Sequence, residues 1–192
     1  MQLIDQEDKD CIEREFKMLL TPKDFELIRK VLPWEKEYRQ INIYFDTPCC
    51  LLHKRGITCR VRSVSGIHLL QIKYPILSDD RMYVSRRELE YQVEEIPPEV
   101  RISELLTDFD TSLVAQPLGS LTTYRKECLA SPGITVFLDQ NEYGEQRDFE
   151  IEVEFTGDEK EVLLFLQKHA ITITKKSKGK YSRFLDTYRK EV

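Results

Sequence analysis

Glu13-Arg14-Glu15-Phe16-Lys17 sets two carboxylates and an ammonium at every second position. Side chains of a strand alternate between its faces. Glu13, Glu15 and Lys17 would then share one face, with Ile12, Phe16 and Met18 on the other. Carboxylates paired in this way can hold a hard cation, and the ammonium can meet an anion. A single segment of this kind reads better as a solvated strand face, so repetition decides.

The pattern repeats in four further segments. Arg60 and Arg62 alternate with Cys59 and Val61; Gln71 and Lys73 alternate with Leu70, Ile72 and Tyr74. Glu88, Glu90 and Gln92 alternate with Leu89, Tyr91 and Val93. Glu150, Glu152 and Glu154 alternate with Phe149, Ile151, Val153 and Phe155. Charges of both signs at strand spacing suggest one shared, hydrated site. A closed barrel with a polar lumen supplies such a place, because its apolar outer face packs under helices and closure removes the sheet edges.

The elements that must position these residues follow from the breaks in the chain. Strands are expected over about 11–19, 40–46, 57–62, 69–74, 86–93, 118–129, 134–140 and 149–155. Thr21-Pro22 reads as an N-cap and first helical residue, opening a helix to Leu32 with Phe25, Ile28, Val31 and Leu32 inward. Thr47-Pro48 opens a turn or short helical segment. Ser65-Gly66 reads as a hairpin turn, and 75–81 as a loop. Val100, Ile102, Leu105, Leu106 and Phe109 suggest a helix over 99–114. Asn141–Gly144 reads as a turn. A helix over 159–170 carries a Val162, Leu163, Phe165 and Leu166 stripe, and a last helix includes Tyr181–Tyr188.

The fold class is therefore α+β, mainly β: an eight-stranded antiparallel closed barrel with a charged lumen and helices packed outside. At 192 residues the chain makes a single domain over 1–192, with its core at about 11–188. Charged residues at 33% and hydrophobic ones at 41% describe a soluble globular protein. A net charge of -5 argues against a general nucleic-acid binder. No apolar run is long enough for a membrane span, and no signal peptide opens the chain. The five cysteines are odd in number and lack metal-ligand spacing, which predicts reduced thiols and a cytoplasmic location. Cys59 lies beside Arg60, but alternation turns it to the apolar side. His53, His68 and His169 fit no metal spacing.

Taken in order, Glu13-x-Glu15-x-Lys17, Tyr44-Phe45-Asp46-Thr47-Pro48, Arg55-Gly56, Arg60-x-Arg62, Lys73, Glu88-x-Glu90 and the late Glu-x-Glu strand resemble the CYTH superfamily. Its members are also called triphosphate tunnel metalloenzymes, and the spacing is most similar to small stand-alone CYTH proteins of Firmicute bacteria. The resemblance runs from about 11 to 188. It implies a tunnel that binds a triphosphate-containing small molecule together with Mg²⁺ or Mn²⁺. It further implies catalytic roles for Glu13, Glu15 and Lys17, and phosphate binding by Lys17, Arg60, Arg62, Lys73 and Arg125. Lys178 or Lys180 would close over the phosphates; the alternative for that run is a solvated turn. Metal-side acids on this reading are Glu13, Glu15, Glu88, Glu90, Asp139, Glu150, Glu152 and Glu154. The chain departs from many relatives in having Thr123 and Tyr124, where a lysine is common just before Arg125.

The residue chemistry suits that task independently. Arginine forks match phosphate oxygens, hard cations bridge carboxylates to phosphate, and phosphoryl transfer needs positioning and neutralisation more than a nucleophilic side chain. The leading expectation is a metal-dependent phosphohydrolase acting on an inorganic or organic triphosphate. A non-catalytic triphosphate or polyphosphate binder is the alternative from another class. A class IV-type adenylyl cyclase ranks third, because no residue marks an adenine pocket.

Overall fold

A computed structural model of the protein describes residues 3–75, 84–106, 113–169, 171 and 177–191, with the side chains of 3–13, 84–86 and 189–191 outside that description. Among the described residues, nine strands form one mainly antiparallel sheet. They are β1 (Leu3–Leu20), β2 (Lys36–Asp46), β3 (Thr58–Val64), β4 (Ile67–Pro75), β5 (Val84–Val93), β6 (Val100–Arg101), β7 (Val114–Ser131), β8 (Ile134–Tyr143) and β9 (Gln146–Phe155). The helices are α1 (Pro22–Val31), α2 (Leu51–Lys54), α3 (Glu159–Lys168) and α4 (Lys180–Glu191).

Neighbouring strands follow the order β2-β3-β4-β5-β1-β9-β8-β7-β6. β2 also pairs with β7 along its whole length, from Lys36↔Glu127 to Asp46↔Gln116. That ladder brings the two sides of the sheet together and curls it strongly. Elsewhere short connections make the pairing local: Ser65 (φ 50°) and Gly66 (φ 83°) form the two-residue turn between β3 and β4, where positive φ matches the twist of the flanking strands.

The apolar faces of the strands point outward. Phe16, Met18, Val136, Leu138, Ile151 and Val153 pack under Phe25 and Ile28 of α1 and Val162 and Leu166 of α3. Each such buried side chain contributes about 1.5–3 kcal/mol relative to exposure. The helices are placed by their caps: Thr21 Oγ accepts from Asp24 N at 3.1 Å, and Asp158 Oδ1 accepts from Lys160 N at 3.0 Å. A second outer core joins Phe45, Cys59, Val61, Leu70 and Ile72 to Leu52, Ile57, Val100 and Ile102. Asp46 anchors this corner, accepting from the backbone N–H of Thr47, Leu52 and His53 at 2.7, 2.9 and 3.0 Å and thereby capping α2.

α4 differs from the other helices. Tyr181, Phe184 and Leu185 pack on Tyr44, Leu121 and Tyr143, and its first residues line the space the sheet encloses. Gly119 permits this approach, since a Cβ there would lie 2.9 Å from the Phe184 ring.

Several expectations are corrected. The segment expected as a helix over 99–114 holds β6 and a 3-10 turn, Ile102–Glu104, before residues 107–112, which lie outside the description with Phe109. Val100, Ile102, Leu105 and Leu106 are buried there all the same, because their spacing serves an extended-then-turning chain as well as a helix. Val31 and Leu163 are exposed rather than core. β8 continues through the expected turn to Tyr143. The loop expected over 75–81 and the end of the 159–170 helix at Ala170 fall largely outside the described residues.

Candidate functional site

A cavity of about 500 Å³ is lined by residues from both walls of the curled sheet and from the start of α4. Strand alternation explains its chemistry. The partners of outward Phe16, Cys59, Val61, Ile72, Ile151 and Val153 are inward Glu15, Lys17, Arg60, Arg62, Gln71, Lys73, Glu152 and Glu154, all of which line it.

On the β7–β8–β9 wall, acids and bases are matched one to another. Arg125 donates to both carboxylate oxygens of Asp139 at 2.8 and 2.7 Å and to Glu152 at 2.5 Å, with its guanidinium 4.2 Å from the Phe137 ring centroid. Lys180 Nζ stands 2.8 Å from Asp139, 3.2 Å from Glu150 and 2.7 Å from Glu152. Arg183, one turn later, contacts Glu150 at 2.5 Å and Asp148 at 2.8 Å. Lys17 reaches Glu15 at 2.6 Å and Glu152 at 3.4 Å. Burial opposes every one of these charges. The bases outweigh it, so the carboxyl of Asp139 is held below its ordinary range by Arg125 and Lys180, and that of Glu152 well below by Lys180, Lys17 and Arg125. In return Lys17, Arg125, Lys180 and Arg183 are all pushed up against the same burial by their carboxylates.

The β3–β4 wall is different. Arg60 donates to Gln71 at 2.8 Å, and Gln71 in turn donates to Glu90 at 2.5 Å. Arg62 Nε meets Asn42 Oδ1 at 3.4 Å. Among the described residues, neither arginine forms an ion pair with a carboxylate. Burial, with Arg60 and Arg125 nearby, pushes the Arg62 guanidinium down to about 10. It stays charged at neutral pH as a half-buried cation short of an anion. Lys73 sits 3.0 Å from Glu88. Two buried polar atoms close to these bases, Asn42 Nδ2 and Glu88 Oε1, lack a hydrogen-bond partner among the described residues.

A divalent metal here would need oxygen donors from the acids that open onto the cavity. Among the described residues, no three His, Cys, Asp or Glu side chains form a metal-holding group. Glu15 and Glu154 face each other across the β1–β9 ladder and both line the cavity. Two facing carboxylates fit a hard cation that completes its shell with phosphate oxygens and water. Asp139 and Glu150 fit less well: both are fully buried and paired with bases, although Glu150 meets them through Oε2 alone and its Oε1 lacks a hydrogen-bond partner among the described residues.

The expected site residues thus fall into groups. Glu15, Lys17, Arg60, Arg62, Lys73, Glu88, Glu90, Arg125, Glu152, Glu154 and Lys180 line one cavity. Glu13 belongs to β1, opposite Arg86, but its side chain lies outside the described residues. Lys178 lies on the surface, with its side chain 69% exposed and 2.7 Å from Asp186. It matches the solvated-turn alternative, while Lys180 enters the cavity. Lys126, after Arg125, faces away and pairs with Glu37. Cys59 is buried on the outer side, and burial pushes its thiol up. Free thiols are found at Cys49, Cys50, Cys59 and Cys128.

Reasoning from charge alone missed several residues. Tyr38, Gln40 and Tyr44 line the cavity from β2. Their alternation was visible, but they carry no charge. Arg183 was missed as well, although it lies one turn from Lys180 on the same helix.

The fold is shared with several solved proteins. HpAC1 from Hippeastrum, a candidate adenylyl cyclase described as having a dominant triphosphatase activity, is 24% identical over 92% of this chain and 96% of that one, with a TM-score of 0.72. A candidate adenylate cyclase from Bacillus halodurans is 23% identical over 90% and 97%, TM-score 0.68. PH1819 from Pyrococcus horikoshii is 23% identical over 91% and 98%, TM-score 0.62. At these identities the likeness is one of fold. A search of curated proteins gave no match. The CYTH domain model matches residues 11–184, and the chain belongs to that family.

Proposed function

We propose that the protein is a divalent-metal-dependent phosphohydrolase that takes an inorganic or organic triphosphate into the curled sheet, used as a tunnel with a charged lumen. The observation that carries this reading is the asymmetry of the cavity. Arg60, buried, and Arg62, half-buried, are cations without a carboxylate partner among the described residues, and the facing carboxylates of Glu15 and Glu154 open onto the same space. A triphosphate is the anion that such a wall lacks, and arginine forks match its oxygens.

Arg60 and Arg62 would hold phosphate oxygens, with Lys73 and Lys17 adding charge from neighbouring strands. Gln71 fixes the Arg60 fork through its own bond to Glu90. Glu15 and Glu154, with Glu13 from the same strand, would hold the metal. Mg²⁺ or Mn²⁺ would supply Lewis-acid polarisation of phosphate and lower the pKa of a water. Members of this family generally depend on a divalent metal, and HpAC1 shares the fold. The free thiols suit a reducing cytoplasm.

A binder without turnover is the second reading. It is favoured by the ion pairs that occupy Asp139 and Glu150, which leave fewer acids for metal. Phosphate release from tripolyphosphate, nucleoside triphosphates and thiamine triphosphate, with and without Mg²⁺ or Mn²⁺, separates the two. Metal-dependent release supports the hydrolase. Calorimetric binding with no release supports the binder, and neither binding nor release refutes both.

A further inference from the structure

We propose that Lys180 is an internal substitute for a divalent cation, and that Asp139, Glu150 and Glu152 dock helix α4 in this chain instead of ligating metal. The inference concerns where metal does not bind. It rests on the reading above only in taking the cavity to be a metal site at all.

One ammonium stands 2.7–3.2 Å from three carboxylates. Asp139 and Glu150 are fully buried, and Glu152 and Lys180 nearly so. A metal held by the same oxygens would take the same place: Mg²⁺ needs its ligands at about 2.0–2.1 Å, and the Lys180 Nζ already fills the point on which these carboxylates converge. Charge gives the same answer. Five acids (Glu15, Asp139, Asp148, Glu150 and Glu152) are in contact with four bases, namely Lys17, Arg125, Lys180 and Arg183. With Glu15 the network carries one negative charge as it stands, and adding a divalent cation without expelling a base would turn it net positive.

Lys180 is also the first residue of a twelve-residue helix. A helix N-terminus carries positive partial charge, so a cation there is unfavourable by itself. The three carboxylates remove that penalty. The positive end of α4, Lys180 and Arg183 all meet the β8–β9 acids, and Tyr181 and Phe184 pack their rings on Tyr44.

The test is Mn²⁺ binding by the full chain without triphosphate, counted by electron paramagnetic resonance. Lys180→Met keeps the length of the side chain and removes its charge; Lys180→Gln serves as a second variant. Either should gain one Mn²⁺ per chain over the unsubstituted protein, and adding Asp139→Asn should abolish the gain. Mn²⁺ should raise the Tm of the Lys180 variants more than that of the unsubstituted protein. Asp139→Asn alone should leave Mn²⁺ binding unchanged. The proposal is overturned if Asp139→Asn alone removes Mn²⁺ binding, or if folded Lys180 variants bind no additional ion. If neither Lys180 variant folds with or without Mn²⁺, the Asp139→Asn arm decides. An absence of hydrolysis alongside the gained ion would count against the proposed activity and leave this inference standing.

Discussion

The two walls of the cavity come from the same strand periodicity yet end in opposite electrostatic states. On the β8–β9 wall every described buried carboxylate has a base within ion-pair distance. On the β3–β4 wall Arg60 and Arg62 have only the neutral amides of Gln71 and Asn42. The compensated wall holds the fold together. The uncompensated wall keeps charge in reserve, and charge in reserve is what a ligand can use. Buried ions without partners are costly, so a protein that retains them in a cavity gives up stability there for binding.

Stability gives the largest contrast. Arg125→Met takes the bidentate partner from buried Asp139 and one base from Glu152, leaves their network one positive charge short, and should cost about 3–5 kcal/mol, read as a lower urea midpoint. Arg62→Met removes a half-buried cation that lacks an ion-pair partner among the described residues and should leave the midpoint unchanged or raise it. Equal losses in the two variants would erase the distinction between the walls.

Acid titration sharpens the comparison. The folded carboxyls of Asp139 and Glu152 lie below their ordinary values of 3.8 and 4.5. Between the ordinary and the depressed value, the unfolded chain binds more protons than the native one. The stabilisation is therefore complete above about pH 4.5 and is lost as pH falls through the folded values. Urea unfolding should weaken steeply below that pH. Glu152→Gln should start lower and depend less on pH across the same range.

The smallest effect belongs to the surface pair. Lys178→Ala breaks an exposed contact with Asp186 and should change stability by less than about 1 kcal/mol, with triphosphate affinity unchanged in calorimetry. A binding loss like that of a cavity residue would restore Lys178 to the site.

Much of this arrangement was legible in the sequence. Charge at every second residue identified the inward faces of β1, β3, β4, β5 and β9, because strand geometry turns that spacing directly into facing. Uncharged inward positions such as Tyr38, Gln40 and Tyr44 were harder to see, since on an amphipathic strand they look the same as solvated ones. Which base meets which acid was not legible at all. Lys17 pairs with Glu152, 135 positions away, and Lys180 reaches the same carboxylate from 28 away. The choice between Lys178 and Lys180 turned on where α4 begins, and neither Pro nor Asp marks that start. For the same reason, the sequence could not show that Asp139, Glu150 and Glu152 meet a base from a distant helix: a carboxylate in a row gives no sign of it.

The most direct test is tripolyphosphate affinity measured by calorimetry in EDTA, for Arg60→Ala and Glu154→Gln side by side. Arg60→Ala removes a charge-assisted fork and should weaken metal-free binding by about 1.5–3 kcal/mol. Glu154→Gln deletes a repelling charge and should leave that binding equal or tighter. If both variants fold and lose metal-free affinity equally, the division into a phosphate-binding wall and a metal-side wall is contradicted.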